Sequence, residues 1–194
     1  MENITVNKIT DGNIEECRDL CNELMHFQQA QATLSPQSFA GMNFDTRMKP
    51  SFDKAERSQV VVVKDGNKPI GYVFSTIESI NNGDKSTFPE WAPIQGVVNC
   101  QGFYSDGVDL PEKCGCLNNL YLKPEYQSAG LGSQLLSVAM EWFASFSDVN
   151  LVFVYISNGN DRALAFYEKY GFVFSHDVFG GFIKAAYYKF NKDV

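Results

Sequence analysis

From Asn13 to Gln31 the positions Ile14, Cys17, Cys21, Leu24 and Met25 fall three or four residues apart, and Gln28 continues the stripe. That period predicts an amphipathic helix, and Asn13 with Glu16 has the spacing of a cap and its capping-box partner. A short strand is predicted ahead of it, around Ile4 to Ile9. Leu34 to Lys54 is less regular and reads as a short helix and loop. In RSQVVVVKDGNKPIGYVFSTIESI two β-rich runs flank Asp65-Gly66-Asn67, a hairpin signal, and the unbroken valines 60–63 predict a strand covered on both faces.

The second half has a strand and helix rhythm. CLNNLYLKP reads as a strand ending before Pro124, and Leu131, Leu135, Val138, Ala139, Trp142 and Phe146 mark one side of a helix. NLVFVYIS reads as a buried strand, and DRALAFYEKY as a helix stopped by Gly171. Two terminal strands are predicted, Phe172 to Ser175 and Phe182 to Phe190. Asn81 to Gly115 is rich in Gly, Pro, Asp and isolated aromatics and too long for a plain connection, so it is an ordered insertion or a functional loop. One domain over residues 1–194, with an insertion at about 81–115, is the expectation.

Composition narrows the partners. A net charge of -7 lacks the basic face that phosphate neutralisation needs, so nucleic acid is not expected and an anionic ligand must be held locally. No apolar window reaches membrane-span length, and the acidic start MENITVNKITDGNIEE lacks the zones of a signal peptide; a cytoplasmic address is expected. Five cysteines, Cys17, Cys21, Cys100, Cys114 and Cys116, in a chain this long read as reduced thiols. Their spacing is not that of a metal site, and no metal is expected.

The stretch KPEYQSAGLGSQLL puts Gly130 and Gly132 just ahead of a helix. Strand, glycine loop and helix together hold phosphate, because the first helical turn leaves amides unpaired and concentrates partial positive charge. A dinucleotide fingerprint would need a third glycine where Leu135 stands, and a triphosphate loop would follow Gly132 with Lys-Ser or Lys-Thr rather than Ser133-Gln134.

Gln127-Ser128-Ala129-Gly130-Leu131-Gly132 resembles the Gln/Arg-x-x-Gly-x-Gly/Ala signature of the GNAT superfamily of acyl-CoA N-acyltransferases. LNNLYLKPEY upstream is similar to that family's fourth strand, and NDRALAFYEKYGF downstream to its Asn-x-x-Ala-x-x-Phe-Tyr-x-x-x-Gly-Phe element; the resemblance covers Cys116 to Phe174. It implies an α/β (α+β) fold with a mixed, mostly antiparallel sheet of six to seven strands and helices on both faces. It also implies that amides of Ser128, Ala129, Gly130, Leu131, Gly132 and Ser133, with Gln127, wrap the pyrophosphate of coenzyme A. Leu120, Tyr121 and Leu122 would pair with the pantetheine arm, Asn160 would lie near that arm, and Tyr167 would be the catalytic acid. A side chain at Gly130 or Gly132 would then occupy phosphate space. The family often carries a basic residue mid-loop, where this chain has Ser128-Ala129; Lys123 or Arg162 could replace it for the 3′-phosphate.

By residue type alone Asn160 is a helix cap and Tyr167 a packed aromatic. Asn118 and Asn119 are unusual inside a strand and would point to opposite faces of a regular one. His26 and His176 read as non-catalytic. The implied reaction is attack by a primary amine of a small molecule or peptide on acetyl-CoA within a ternary complex. Such an amine is protonated at neutral pH, and stripping it costs roughly 4 to 5 kcal/mol. Glu78, Asp109, Glu112 or a water held by Asn118 are the candidate bases. Trp91, Phe103 and Tyr104 in the acidic insertion could hold a cationic acceptor, or simply be surface. The contrasting reading is a non-catalytic acyl-CoA-binding module. No membrane partner is expected, and a homodimer is left open.

Overall fold

The computed structural model describes residues 3–80, 88, 89, 92, 100–127 and 129–191. Seven strands form one sheet in the order β1-β2-β3-β4-β5-β7-β6: β1 Ile4–Lys8, β2 Arg57–Asp65, β3 Lys68–Ser79, β4 Lys113–Leu122, β5 Leu151–Ser157, β6 Val173–Val178 and β7 Ile183–Lys189. Every neighbouring pair is antiparallel except β4 and β5, which run parallel. The helices are α1 Arg18–Gln31, α2 Lys49–Lys54, α3 Leu131–Ala144 and α4 Asp161–Lys169.

The alternation of β2 sets the two layers. Val61 and Val63 face α3 with Val73, Leu117 and Leu122, while Val60 and Val62 face α1 with Tyr72, Phe74 and Tyr121. All four valines are buried, as the unbroken run predicts, and each contributes about 1.5 to 3 kcal/mol. On α3 the buried side is Leu131, Leu135, Leu136, Ala139 and Phe143; the expected stripe omitted Leu136 and Phe143, while Val138, Trp142 and Phe146 lie half-buried at its border.

The start of α1 differs from the capping-box reading. A 3-10 turn, Glu15–Cys17, precedes the helix; Asn13 Oδ1 accepts from Glu15 N at 3.2 Å, and Glu16 pairs with Lys64 across to β2. The ion pair with the sheet takes the side chain that a box would need. Between α1 and β2 the chain makes a 3-10 turn, Pro36–Phe39, and a π-turn, Phe44–Met48, that runs into α2.

The described part of the insertion is docked on the sheet. Gln101 bridges Val178 and accepts from Phe179 N, His176 Nε2 meets Gly102 O at 2.9 Å, and Tyr155 Oη donates to Phe103 O at 3.0 Å. Residues 100–104 therefore cover the β5 and β6 end of the face that α1 covers at the β2 end. His176 is a buried structural tie rather than a reactive group.

Candidate active site

Strand β4 carries one residue more than β3 opposite it. Phe74 pairs with Asn119 and Ser75 with Leu117, so Asn118 is the extra residue of a β-bulge. A bulge resets alternation and sharpens twist. Asn118 and Asn119 accordingly share the α1 face: Asn118 Nδ2 donates to Thr76 Oγ1 at 2.7 Å, and Asn119 pairs with Phe74, whose side chain lies in the α1 core. The opposite-face expectation for a regular strand fails because the strand is not regular here.

The bulge also opens the sheet. Parallel pairing of β4 with β5 covers Gly115 to Leu117 against Val152 to Val154 and then stops, although β4 continues to Leu122 and β5 to Ser157. Among the described residues the β5 side of positions 118–122 has no strand partner. The result is a wedge, flanked by the starts of α3 and α4, into which Leu120, Tyr121 and Leu122 present main-chain groups. Leu120 is half-buried, and Tyr121 and Leu122 are buried.

Gln127 does not reach outward: its Nε2 donates to Leu122 O at 3.0 Å and ties the glycine loop to the end of β4. Gly130 caps α3 at φ 79°, a left-handed conformation that glycine adopts without strain, and no side chain caps the helix. The first α3 bond joins Gln134 N to Gly130 O, so amides of Leu131, Gly132 and Ser133 have no backbone acceptor among the described residues. Leu131 offers only its amide, its side chain being in the core, whereas Ala129 and Gly130 are exposed. Ser128 lies outside the described residues. A Cβ on Gly132 would meet Leu122 Cδ1 at 3.7 Å and the Phe166 ring at 3.8 Å, so it points into the protein and not into phosphate space as expected. Among the described residues nothing stands within 4 Å of a Cβ on Gly130.

Asn160 caps α4, its Oδ1 accepting from Ala163 N at 3.2 Å, which leaves its amide nitrogen uncommitted among the described residues. Tyr167 is buried between Phe166 and Phe172. Burial pushes its phenol well above the ordinary range, and its neighbour Cys116, pushed up to about 12 by burial and the Glu78 carboxylate, adds to this. Both groups are neutral at physiological pH.

Of the two cations considered for phosphate, Lys123 is committed to Glu23 at 2.7 Å. Arg162 is exposed in the first turn of α4, one turn before Phe166 on the same helix side, the side that touches Gly132. Of the candidate bases, Glu78 is exposed at the end of β3, and its charge reaches Cys116 and Tyr155. Phe103 and Tyr104 are packed edge-on against Tyr155, Phe179 and Phe153, so their rings serve the fold; Trp91 lies outside the described residues. No cluster of metal-ligating residues occurs among the described residues, and all five thiols are free.

One residue had no reading in the sequence. Asn158, buried at the end of β5, accepts from Thr33 N and Leu34 N at 2.7 Å each and donates to Leu34 O and Phe182 O at 3.1 and 2.8 Å. It fastens the segment after α1 to the mouth of the wedge. The run Asn158-Gly159-Asn160, a turn signal directly after a strand, was the available clue.

The acetyltransferase (GNAT) family model matches residues 22–172. The chain belongs to that family. It is 33% identical over 79 residues to a mycothiol acetyltransferase from Acidimicrobium ferrooxidans, a match covering 39% of this chain and 25% of that protein. The chain thus spans about a quarter of the length of the curated relative it matches. The PaiA N-acetyltransferase of Thermoplasma acidophilum, solved with coenzyme A, superposes with a TM-score of 0.64 at 17% identity, covering 97% of this chain and 99% of that one. Arabidopsis thaliana Naa50, solved with a bisubstrate analogue, gives 0.57 at 12% identity, covering 96% and 99%. At these identities the two structures establish the GNAT fold for this chain, an open mixed sheet whose β4 and β5 part company. No helix among the described residues is long and apolar enough to cross a membrane.

Proposed function

We propose that the protein is an N-acetyltransferase that moves an acetyl group from acetyl-CoA to the primary amine of a small molecule or peptide, by direct attack with both substrates bound. The observation that carries this reading is the wedge between β4 and β5, with the uncapped start of α3 at its rim. Its two parts fit coenzyme A: an unpaired strand edge suits the amides of the pantetheine arm, and bare helix amides suit a pyrophosphate. Acetyl-CoA, when bound, supplies an acyl group on a thioester that a nucleophile can displace.

The chain's own groups then have distinct tasks. Main-chain groups of Leu120, Tyr121 and Leu122 hold and orient the arm, and amides of Leu131, Gly132 and Ser133 hold the diphosphate, next to Ala129, Gly130 and Ser128. Gln127 positions the loop. Asn160 Nδ2 is free for the arm, and Arg162 is the cation for the 3′-phosphate. As the amine nitrogen bonds to the acyl carbon, the carbon–sulfur bond breaks and its electron pair leaves on sulfur; the nitrogen gives up its proton to a base, and the released thiolate takes one from solvent. Glu78 receives the amine proton through water. A thiol near ~8.5 is a weaker base than the Tyr167 phenolate, so Tyr167 keeps its proton and donates a hydrogen bond to the sulfur as its charge grows.

Purified protein tested with acetyl-CoA and an amine panel should gain thermal stability with the cofactor and release free thiol with at least one amine. Stabilisation without thiol release across a broad panel would favour a binding module. Absence of stabilisation would sink both readings.

A further inference from the structure

Arg47 stands in the π-turn Phe44–Met48 on a rigid base. Phe44 and Met48 are fully buried, Asn43 Oδ1 accepts from Asp45 N and Thr46 N, and Phe44 N donates to Asn22 Oδ1 at 2.9 Å. Arg47 is half-buried and makes no hydrogen bond or ion pair among the described residues. Among the described residues the other lysines and arginines without a carboxylate partner, Arg162 included, are exposed, and every other half-buried one is paired. Arg18 pairs with Glu15 and Asp45, Arg57 with Asp148, and Lys49, Lys64, Lys113, Lys123 and Lys184 each with a carboxylate. A fork of five donors held half out of water without an acceptor is costly unless a ligand completes it.

The place of Arg47 says which ligand. Phe44 and Met48, on either side of it in the turn, pack in one cluster with Cys21, Tyr72, Phe74 and Tyr121, so Arg47 lies over the α1 face of β3 and β4. That stretch carries Thr76, the Asn118 amide and Asn119, whose Nδ2 is buried without a partner in a residue only 4% exposed. Asn118 and Asn119 directly follow Leu117, where β4 and β5 part, so this donor-rich floor adjoins the wedge proposed as the reaction centre.

Resting on the acyl-transfer reading, we propose that Arg47, above the Asn118 and Asn119 floor, binds a carboxylate of the acceptor, so that the accepted amine is amino-acid-like. The −7 net charge would favour simple cationic amines at long range. The local arginine reverses that preference at the site.

The test compares free amino acids with their carboxamides as acceptors, by thiol release, in the wild type, Arg47→Met and Arg47→Lys. The wild type should prefer an acid over its amide by roughly tenfold to hundredfold in kcat/KM. Arg47→Met should remove that preference by raising KM for the acid alone, Arg47→Lys should keep part of it, and stabilisation by acetyl-CoA should be equal in all three. A wild type that prefers amides, or a preference unchanged in Arg47→Met, overturns the inference and leaves acyl transfer standing. Loss of acetyl-CoA stabilisation in the wild type would instead strike the acyl-transfer reading. If neither set turns over, N-acetyl amino acids are titrated onto the protein with coenzyme A. A melting shift that Arg47→Met abolishes supports the inference, and no shift overturns it.

Discussion

Asn118 reaches across the β3 and β4 ladder to donate to Thr76 Oγ1 at 2.7 Å, and it is the residue that β4 has in excess of β3. The same side-chain nitrogen also donates to Cys116 O at 3.2 Å, and the two bonds hold the bulge from which the wedge opens. Asn118→Ala should leave the buried Thr76 hydroxyl unpaired and cost about 1 to 3 kcal/mol in denaturant unfolding. Deleting Asn118 leaves Leu117 and Asn119 alternating and still opposite Ser75 and Phe74, so it should restore a regular strand in the same register and narrow the wedge. A deletion variant that still gains stability from acetyl-CoA would remove the bulge from the argument.

Gly130 and Gly132 should part company on substitution. Gly130→Ala places a Cβ at φ 79° and should cost about 1 kcal/mol while weakening acetyl-CoA binding. Gly132→Ala meets ordinary contacts in an α-helix and should be neutral or slightly stabilising. Melting curves with and without cofactor separate the two.

Tyr167→Phe should lower kcat about a hundredfold with little change in KM for acetyl-CoA. The phenol, raised by burial, stays protonated from pH 6 to 9, so the pH profile should keep its shape in the variant. Arg162→Ala should weaken coenzyme A binding several-fold but leave dephospho-coenzyme A, which lacks the 3′-phosphate, unaffected. Equal losses with both ligands, by calorimetry, would exclude Arg162 from that contact.

Gly159 has φ 79°, and a Cβ there would stand 2.1 Å from Gln31 O at the end of α1. Gly159→Ala should cost roughly 2 to 4 kcal/mol. Asn158→Ala, which removes the partners of Thr33, Leu34 and Phe182, should cost about 1 to 3 kcal/mol and loosen residues 32–35, read as faster amide exchange there.

Burial pushes the Cys17, Cys114 and Cys116 thiols up to about 12. Their folded pKa exceeds the unfolded one of about 8.5, so the stability they contribute is complete below pH 8.5 and is lost as pH rises through 12. Chemical denaturation midpoints should hold between pH 6 and 8 and fall from pH 9 to 11. Cys116→Ala should flatten that fall, whatever its stability at pH 7.

Local signals made much of the molecule legible. Val60 to Val63 could be nothing but a strand covered on both sides, and Gly66-Asn67 turns β2 into β3 as expected. Gly171, at φ 88°, ends α4 where its position foretold. The capping box failed because Glu16 had a better partner in Lys64, a residue distant in sequence.

What the sequence determined by itself was the order of elements and the glycine loop before α3, because periodicity, turn residues and caps act over a few positions. Only the tertiary structure decided that the Asn118-Asn119 pair is a bulge, that β4 and β5 separate after Leu117 and Val154, and that Lys123 is committed while Arg47 is not. Those outcomes depend on register and on competition among distant charges, which settle only when strands and helices meet.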